Sequence, residues 1–150
     1  METCLDALTE EQIWLRHGDS GNAIGNIVLH LCGNLRQWIG FGVSGLADVR
    51  DRDAEFAARG GVPVVELKQR LAETIGLAAG IIEKLPLERL TELVTIQGYR
   101  LTVFEAVYHV VEHFAEHYGQ IVFATKLLTG EDLKFYGHLR GPRPHAEKTP

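Results

Sequence analysis

The chain is poor in the residues that build covalent or membrane scaffolds. It has two cysteines, Cys4 and Cys32, which is too few for a disulfide framework, so reduced thiols are expected. No stretch approaches the ~20 uninterrupted apolar residues that span a bilayer, so no membrane partner is expected. The start, Met1-Glu-Thr-Cys-Leu-Asp6, lacks the basic and apolar regions of a secretion signal, which points to a cytoplasmic protein. Positive charge is also scarce: 15 Lys and Arg face 20 Asp and Glu, for a net charge of −5. That balance argues against nucleic acid as the main partner, because phosphate binding needs a basic face. With 45% hydrophobic and 23% charged residues in 150, the chain has the composition and length of one ordinary globular domain.

Helical periodicity dominates what is present. Residues Glu2 to Arg16 read as a short helix that Thr9 restarts. Gly18-Asp-Ser-Gly21 breaks it, and Ser20 or Asn22 caps a second helix running to about Gly40. That helix carries an apolar stripe (Ile24, Ile27, Val28, Leu31, Leu35, Trp38, Ile39) and a second line of Asn26, His30, Asn34 and Gln37. The second line is polar but uncharged, as in a buried or half-buried seam rather than a solvated face. A long connection follows, with the charge run Asp48-Val-Arg-Asp-Arg-Asp53, most simply a solvated ion-pair loop. Pro63 opens a third helix that ends by Pro86. Leu90 to Arg100 reads as an extended loop or small strand. The last helix runs from about Thr102 to Thr129 and is closed by Gly130. Its apolar stripe is Phe104, Val107, Val111, Phe114, Tyr118, Ile121 and Val122. Residues 141–150 form a Gly- and Pro-rich tail, expected to be disordered. The fold class expected is all-α: a four-helix bundle with long loops after helices 2 and 3, occupying residues 1–140. The first helix is short for a bundle partner, so either the N-terminus is abbreviated or a partner chain helps to cover the core.

Chemistry concentrates on the last helix. His109, His113 and His117 recur every four residues, a spacing that turns each side chain only ~40° from the one before. Two neutral imidazoles one turn apart make half of a transition-metal site and leave positions for a ligand from elsewhere. His30, in the uncharged line of the second helix, is the best candidate, since bundle metal sites are assembled from inward-facing residues on facing helices. His17, His138 and His145 read as solvated.

Glu112 and Glu116 complicate the pattern. Each precedes a histidine in the His-x-x-Glu-His order of inverted zinc proteases, but a protease needs a distant acidic ligand and little chain remains to provide one. No glutamate has a histidine three residues later, which leaves a di-iron carboxylate centre unsupported. Glu116 and Glu112 are instead the nearest general-base candidates, provided that one turns toward the metal.

The segment Asn26-Ile-Val-Leu-His30-Leu-Cys-Gly-Asn34, taken with His113-Phe-Ala-Glu-His117-Tyr-Gly-Gln-Ile121, resembles the DinB-like superfamily over about Asn22 to Leu139. The resemblance implies a four-helix bundle, often homodimeric, with a divalent metal held by His30, His113 and His117. His109 would then lie one turn before the site. Several such proteins resemble transferases or isomerases that use a low-molecular-weight thiol. The function expected is a metal-dependent enzyme taking a small-molecule substrate, by thiol transfer to an electrophile or by hydrolysis. Zn²⁺ is the expected ion, with Ni²⁺, Fe or Mn as alternatives. The rival is a non-catalytic, stress-related dimeric bundle in which the metal or a histidine network stabilises the fold.

Overall fold

The computed structural model describes residues 1–137. The tail expected at 141–150 lies outside the described residues, as do His138 and His145. The chain is mostly helical, with one small sheet. Helices α1 (Glu2–Asp6) and α2 (Glu10–Ile13) share the segment expected as one short helix. Thr9 restarts the chain through a capping box with Gln12, which satisfies two orphan backbone donors at once.

Helix α3 (Ile24–Leu35) continues as a wider π-helical stretch over Arg36–Val43. It starts at Ala23, not at Ser20 or Asn22. The Ala23 N–H donates to Asn26 Oδ1 at 3.1 Å, so the asparagine one turn into the helix does the capping. Nearly every residue of α3 is buried, which makes it the central helix of the molecule, with α4, α5 and α6 packed around it. Gly42 in the π stretch admits Ile96, because a Cβ there would lie 2.2 Å from Ile96 Cδ1.

The long connection after α3 is not all loop. It contains α4 (Arg52–Ala57), capped by Asp51 through Ala54 N–H at 2.9 Å. Helix α5 (Val64–Glu83) follows, with Pro63 at its N-cap as the sequence suggests. Residues 90–100 resolve into a hairpin. Strands β1 (Leu93–Ile96) and β2 (Tyr99–Thr102) pair antiparallel, Leu93 opposite Thr102 and Ile96 opposite Tyr99. This hairpin fits the extended segment or small strand expected there and is a small addition to a mostly helical fold. Among the described residues the long helical stretches are α3 with its π extension, α5 and α6; the rest are short.

Helix α6 (Val103–Thr129) matches the expected bounds. Thr102 forms a capping box with Glu105, and Gly130 ends the helix in the left-handed conformation, φ 69°. Its orientation differs from the expected one. The residues it buries are Val103, Ala106, Val110, Ile121 and Thr125, while Phe104 and Val111 are exposed. The helix has turned about its axis so that the side carrying the histidines lies toward α3, at the expense of part of the apolar stripe. Two apolar clusters hold the elements together. One joins α1, α2, the first half of α3 and α5; the other joins the π stretch, the hairpin and the start of α6; Phe114 packs against both. No helix among the described residues is long and apolar enough to cross a membrane.

Candidate metal centre

The uncharged line is buried at Asn26, His30 and Asn34 and half-buried at Gln37 in the π stretch, and each member has a partner. Asn26, fully buried, donates to the carbonyls of Glu55 (2.8 Å) and Ala58 (3.0 Å), and accepts from Arg16 at 2.9 Å. Gln37 accepts from Arg50 at 3.0 Å and donates to Asp48 at 2.8 Å. The seam therefore stitches the 48–58 excursion to α3 at both ends. Asn34 meets His109 Nε2 at 3.4 Å. His30 lies between these stitches, on the same face.

From α6, His113 and His117 reach across to His30. One ring nitrogen from each of the three residues lies within 4.8 Å of the others, and His30 Nε2 is 3.1 Å from His113 Nε2. Two nitrogens bound at ~2.0–2.1 Å to one tetrahedral ion sit roughly 3 Å apart, so this spacing fits a shared metal. The nitrogen of His113 that faces away from His30, Nδ1, is buried with no hydrogen-bond partner among the described residues. Burial, then the imidazoles of His117, His30 and His109, then Arg50, push the His113 ring down to about 4. It is therefore neutral at pH 7, the form that ligates. The donor set, three imidazole nitrogens, suits a borderline transition metal such as Zn²⁺.

The distal nitrogens of His117 and His30 do have partners. His117 Nδ1 contacts Gln120 Oε1 at 2.9 Å. An amide oxygen only accepts, so Nδ1 carries the proton and Nε2 keeps its lone pair. His30 Nδ1 lies 3.1 Å from Glu55 Oε2. Arg50 grips that carboxylate with two bonds, Nε to Oε1 and Nη2 to Oε2, both 2.8 Å. Burial raises the Glu55 carboxyl, but the hydrogen bonds and charges of Arg50 and His30 outweigh it and hold the group below the ordinary carboxylate range.

His109, the first of the histidine row, stays out of the cluster. It stacks on Trp38 with ring centroids 3.8 Å apart, and burial lowers its pKa against the opposing charge of Glu112. Glu112 and Glu116 are exposed, and neither is hydrogen-bonded to His30, His113 or His117. Each precedes a ligand candidate by one residue, which on a helix is about 100° of rotation away from it. The carboxylate that does meet the cluster, Glu55, comes from the excursion that reads in sequence as a solvated loop. Arg50, assigned there to an ion-pair loop in water, has a side chain only 4% exposed. Neither residue lies in a recognisable motif. The one sequence signal was Gly33, a helix-disfavoured residue in mid-helix three positions after His30. A cavity of about 580 Å³ lies behind the Arg50–Glu55 pair, between α3, α5 and the excursion, and the three imidazoles do not line it.

No curated protein matches the chain. A family model described as "Protein of unknown function (DUF1572)" matches residues 1–141, and the chain belongs to that family.

Proposed function

We propose that this chain is a metal-dependent enzyme of the DinB-like kind, its ion held by His30, His113 and His117. The carrying observation is the convergence of three imidazole nitrogens within 4.8 Å from two different helices. In this reading α3, α5 and α6 are three members of a four-helix bundle, and the short α1 and α2 stand in for the first. Three protein ligands leave a tetrahedral ion one open position, the mark of a catalytic rather than a purely structural zinc site. When bound, such an ion supplies a Lewis acid that favours the deprotonated form of a small thiol or of water drawn to it. The preferred reaction is transfer of a low-molecular-weight thiol to a small electrophile, with hydrolysis second. The general-base candidates are Glu116 and Glu112, exposed carboxylates beside the α6 ligands, a role that requires one of them to turn toward the ion. Replacement of each by Gln, with turnover measured, tests that role. A second copy of the chain is the expected cover for exposed Phe104, Tyr108 and Val111.

Elemental analysis of protein purified without chelator tests the metal. About one transition-metal ion per chain is expected in the wild type and none in His113→Ala. Full metal content in that variant would remove the site. A structural role for the same ion is the second reading, favoured by the way its ligands tie α3 to α6. Chelation separates the two. A large fall in Tm with no activity to lose supports the structural role, and preserved folding with lost turnover supports the enzyme.

A further inference from the structure

The Arg50–Glu55 pair sits where a side chain would ordinarily be. A Cβ on Gly33 would lie 1.8 Å from Glu55 Oε1 and 2.9 Å from Arg50 Nε. Glycine in the middle of a helix costs roughly 1 kcal/mol relative to alanine. At this position it opens a bare strip of backbone into which the ion pair settles. The pair is almost fully enclosed, with side-chain exposures of 4% for Arg50 and 9% for Glu55. Asn26 fixes the backbone beneath it through the carbonyl of Glu55 itself, and Gln37 holds the third nitrogen of the guanidinium, Nη1, at 3.0 Å. Every part of this arrangement ends on one atom, His30 Nδ1, which lies 3.1 Å from Glu55 Oε2 and 3.0 Å from Arg50 Nη2.

Those two contacts serve opposite states of the ring. Arginine only donates and an ionised carboxylate only accepts. With the proton on Nε2, pointing at His113, Nδ1 accepts from Arg50. With the proton on Nδ1, that nitrogen donates to Glu55 and Nε2 presents its lone pair to the cluster. The ring need not move between the two states.

We propose that Glu55, clamped by Arg50 over the bare backbone of Gly33, is the positioning residue of the metal site: it holds the proton of His30 on Nδ1 and so turns the Nε2 lone pair toward the ion. This rests on the metal reading above. Outer partners of this sort fix the tautomer and raise the basicity of a ligating imidazole, and their loss typically weakens metal binding 10- to 100-fold. The role of Gly33 has a counterintuitive consequence. Gly33→Ala adds a better helix former and removes no polar group, yet it displaces the carboxylate from His30. The atoms that must yield to the new Cβ are the carboxylate end of Glu55 and, by less, Arg50 Nε, side-chain atoms rather than backbone, so the fold survives while the contact is lost.

The test is zinc affinity of the whole chain, by competition with a chromophoric chelator, for wild type, Gly33→Ala, Glu55→Gln and His113→Ala. In parallel, ¹⁵N NMR of histidine-labelled wild type before and after zinc reads which nitrogen of His30 holds the proton. Expected are at least tenfold weaker binding in Gly33→Ala and Glu55→Gln, a Gly33→Ala Tm no lower than wild type in the metal-free state, and an Nδ1–H signal for His30 in the zinc-loaded protein. Wild-type affinity in Gly33→Ala or Glu55→Gln, with binding lost in His113→Ala, overturns the positioning role and leaves the metal site standing. Undiminished binding in His113→Ala instead fails the metal reading itself. Should a variant not fold, the wild-type spectrum decides: zinc bound through Nδ1 of His30 contradicts the proposal outright.

Discussion

Along α6 the apolar line Phe104, Tyr108 and Val111 is 58%, 60% and 61% exposed, while along α3 the polar line Asn26, His30 and Asn34 is 0%, 6% and 4% exposed. Hydrophobicity alone would place them the other way round. Leaving apolar surface in water forfeits about 25 cal/mol per Å², and burying amides and imidazoles costs several kcal/mol wherever a hydrogen bond is missing. The two lines explain one another. Helix α6 can bring His113 and His117 to His30 only in a rotation that gives up part of its apolar stripe, and α3 can bury its polar line only because the 48–58 excursion and the α6 histidines satisfy it. Burial here follows the requirements of a site more than those of a core.

The comparison breaks most visibly at Asn26. Asn26→Ala removes the bonds to Ala23, Arg16, Glu55 and Ala58 and takes the side-chain donor from the buried Glu55 carbonyl. A loss on the order of 3 kcal/mol is expected, from ~1–3 kcal/mol per unsatisfied buried group, measured by urea unfolding. A change below about 1 kcal/mol would mean that the seam is not holding the excursion.

A smaller effect is expected from pH in the metal-free protein. His113 titrates at about 4 in the folded chain against an ordinary 6.5. Its folded value is depressed, so the unfolded chain binds more protons between those limits. The contribution is complete above pH 6.5 and declines as pH falls toward 4. Glu55, also depressed, loses its contribution further into acid, in the same direction. The urea midpoint of metal-free protein should therefore be lower at pH 5 than at pH 7.5, and equal midpoints would contradict the burial assigned to His113.

The smallest expected effect lies on the exposed line. Val111→Ser, at a position 61% exposed, should change monomer stability by no more than about 0.5 kcal/mol. The same variant sharpens the proposal that a second copy covers this face. In that case sedimentation at rising concentration shows self-association in the wild type that the variant weakens.

Much of this was legible in the sequence, for identifiable reasons. The bounds of α6 follow from the Thr102 capping box and Gly130. The burial of the α3 seam follows from its lack of charge. Four-residue spacing on one helix and a polar line on another predict that His30 meets histidines of α6, and the choice of His113 and His117 over His109 came from the family resemblance. The rotation of α6 was hidden because its apolar residues outnumber its histidines, and a count of hydrophobic positions favours the wrong face. Arg50 and Glu55 were hidden because a charge run with no periodicity looks the same whether it lies in water or folds back onto a glycine. The Gly33 gap that receives them is a three-dimensional complement, and only its oddity in mid-helix appears in the linear pattern.

The most direct measurement is an anomalous-scattering map from crystals of the protein loaded with Zn²⁺. A single peak is predicted between α3 and α6, about 2.0–2.1 Å from one nitrogen each of His30, His113 and His117. Zinc bound elsewhere, or no peak between these rings when the ion is in excess, would contradict the account.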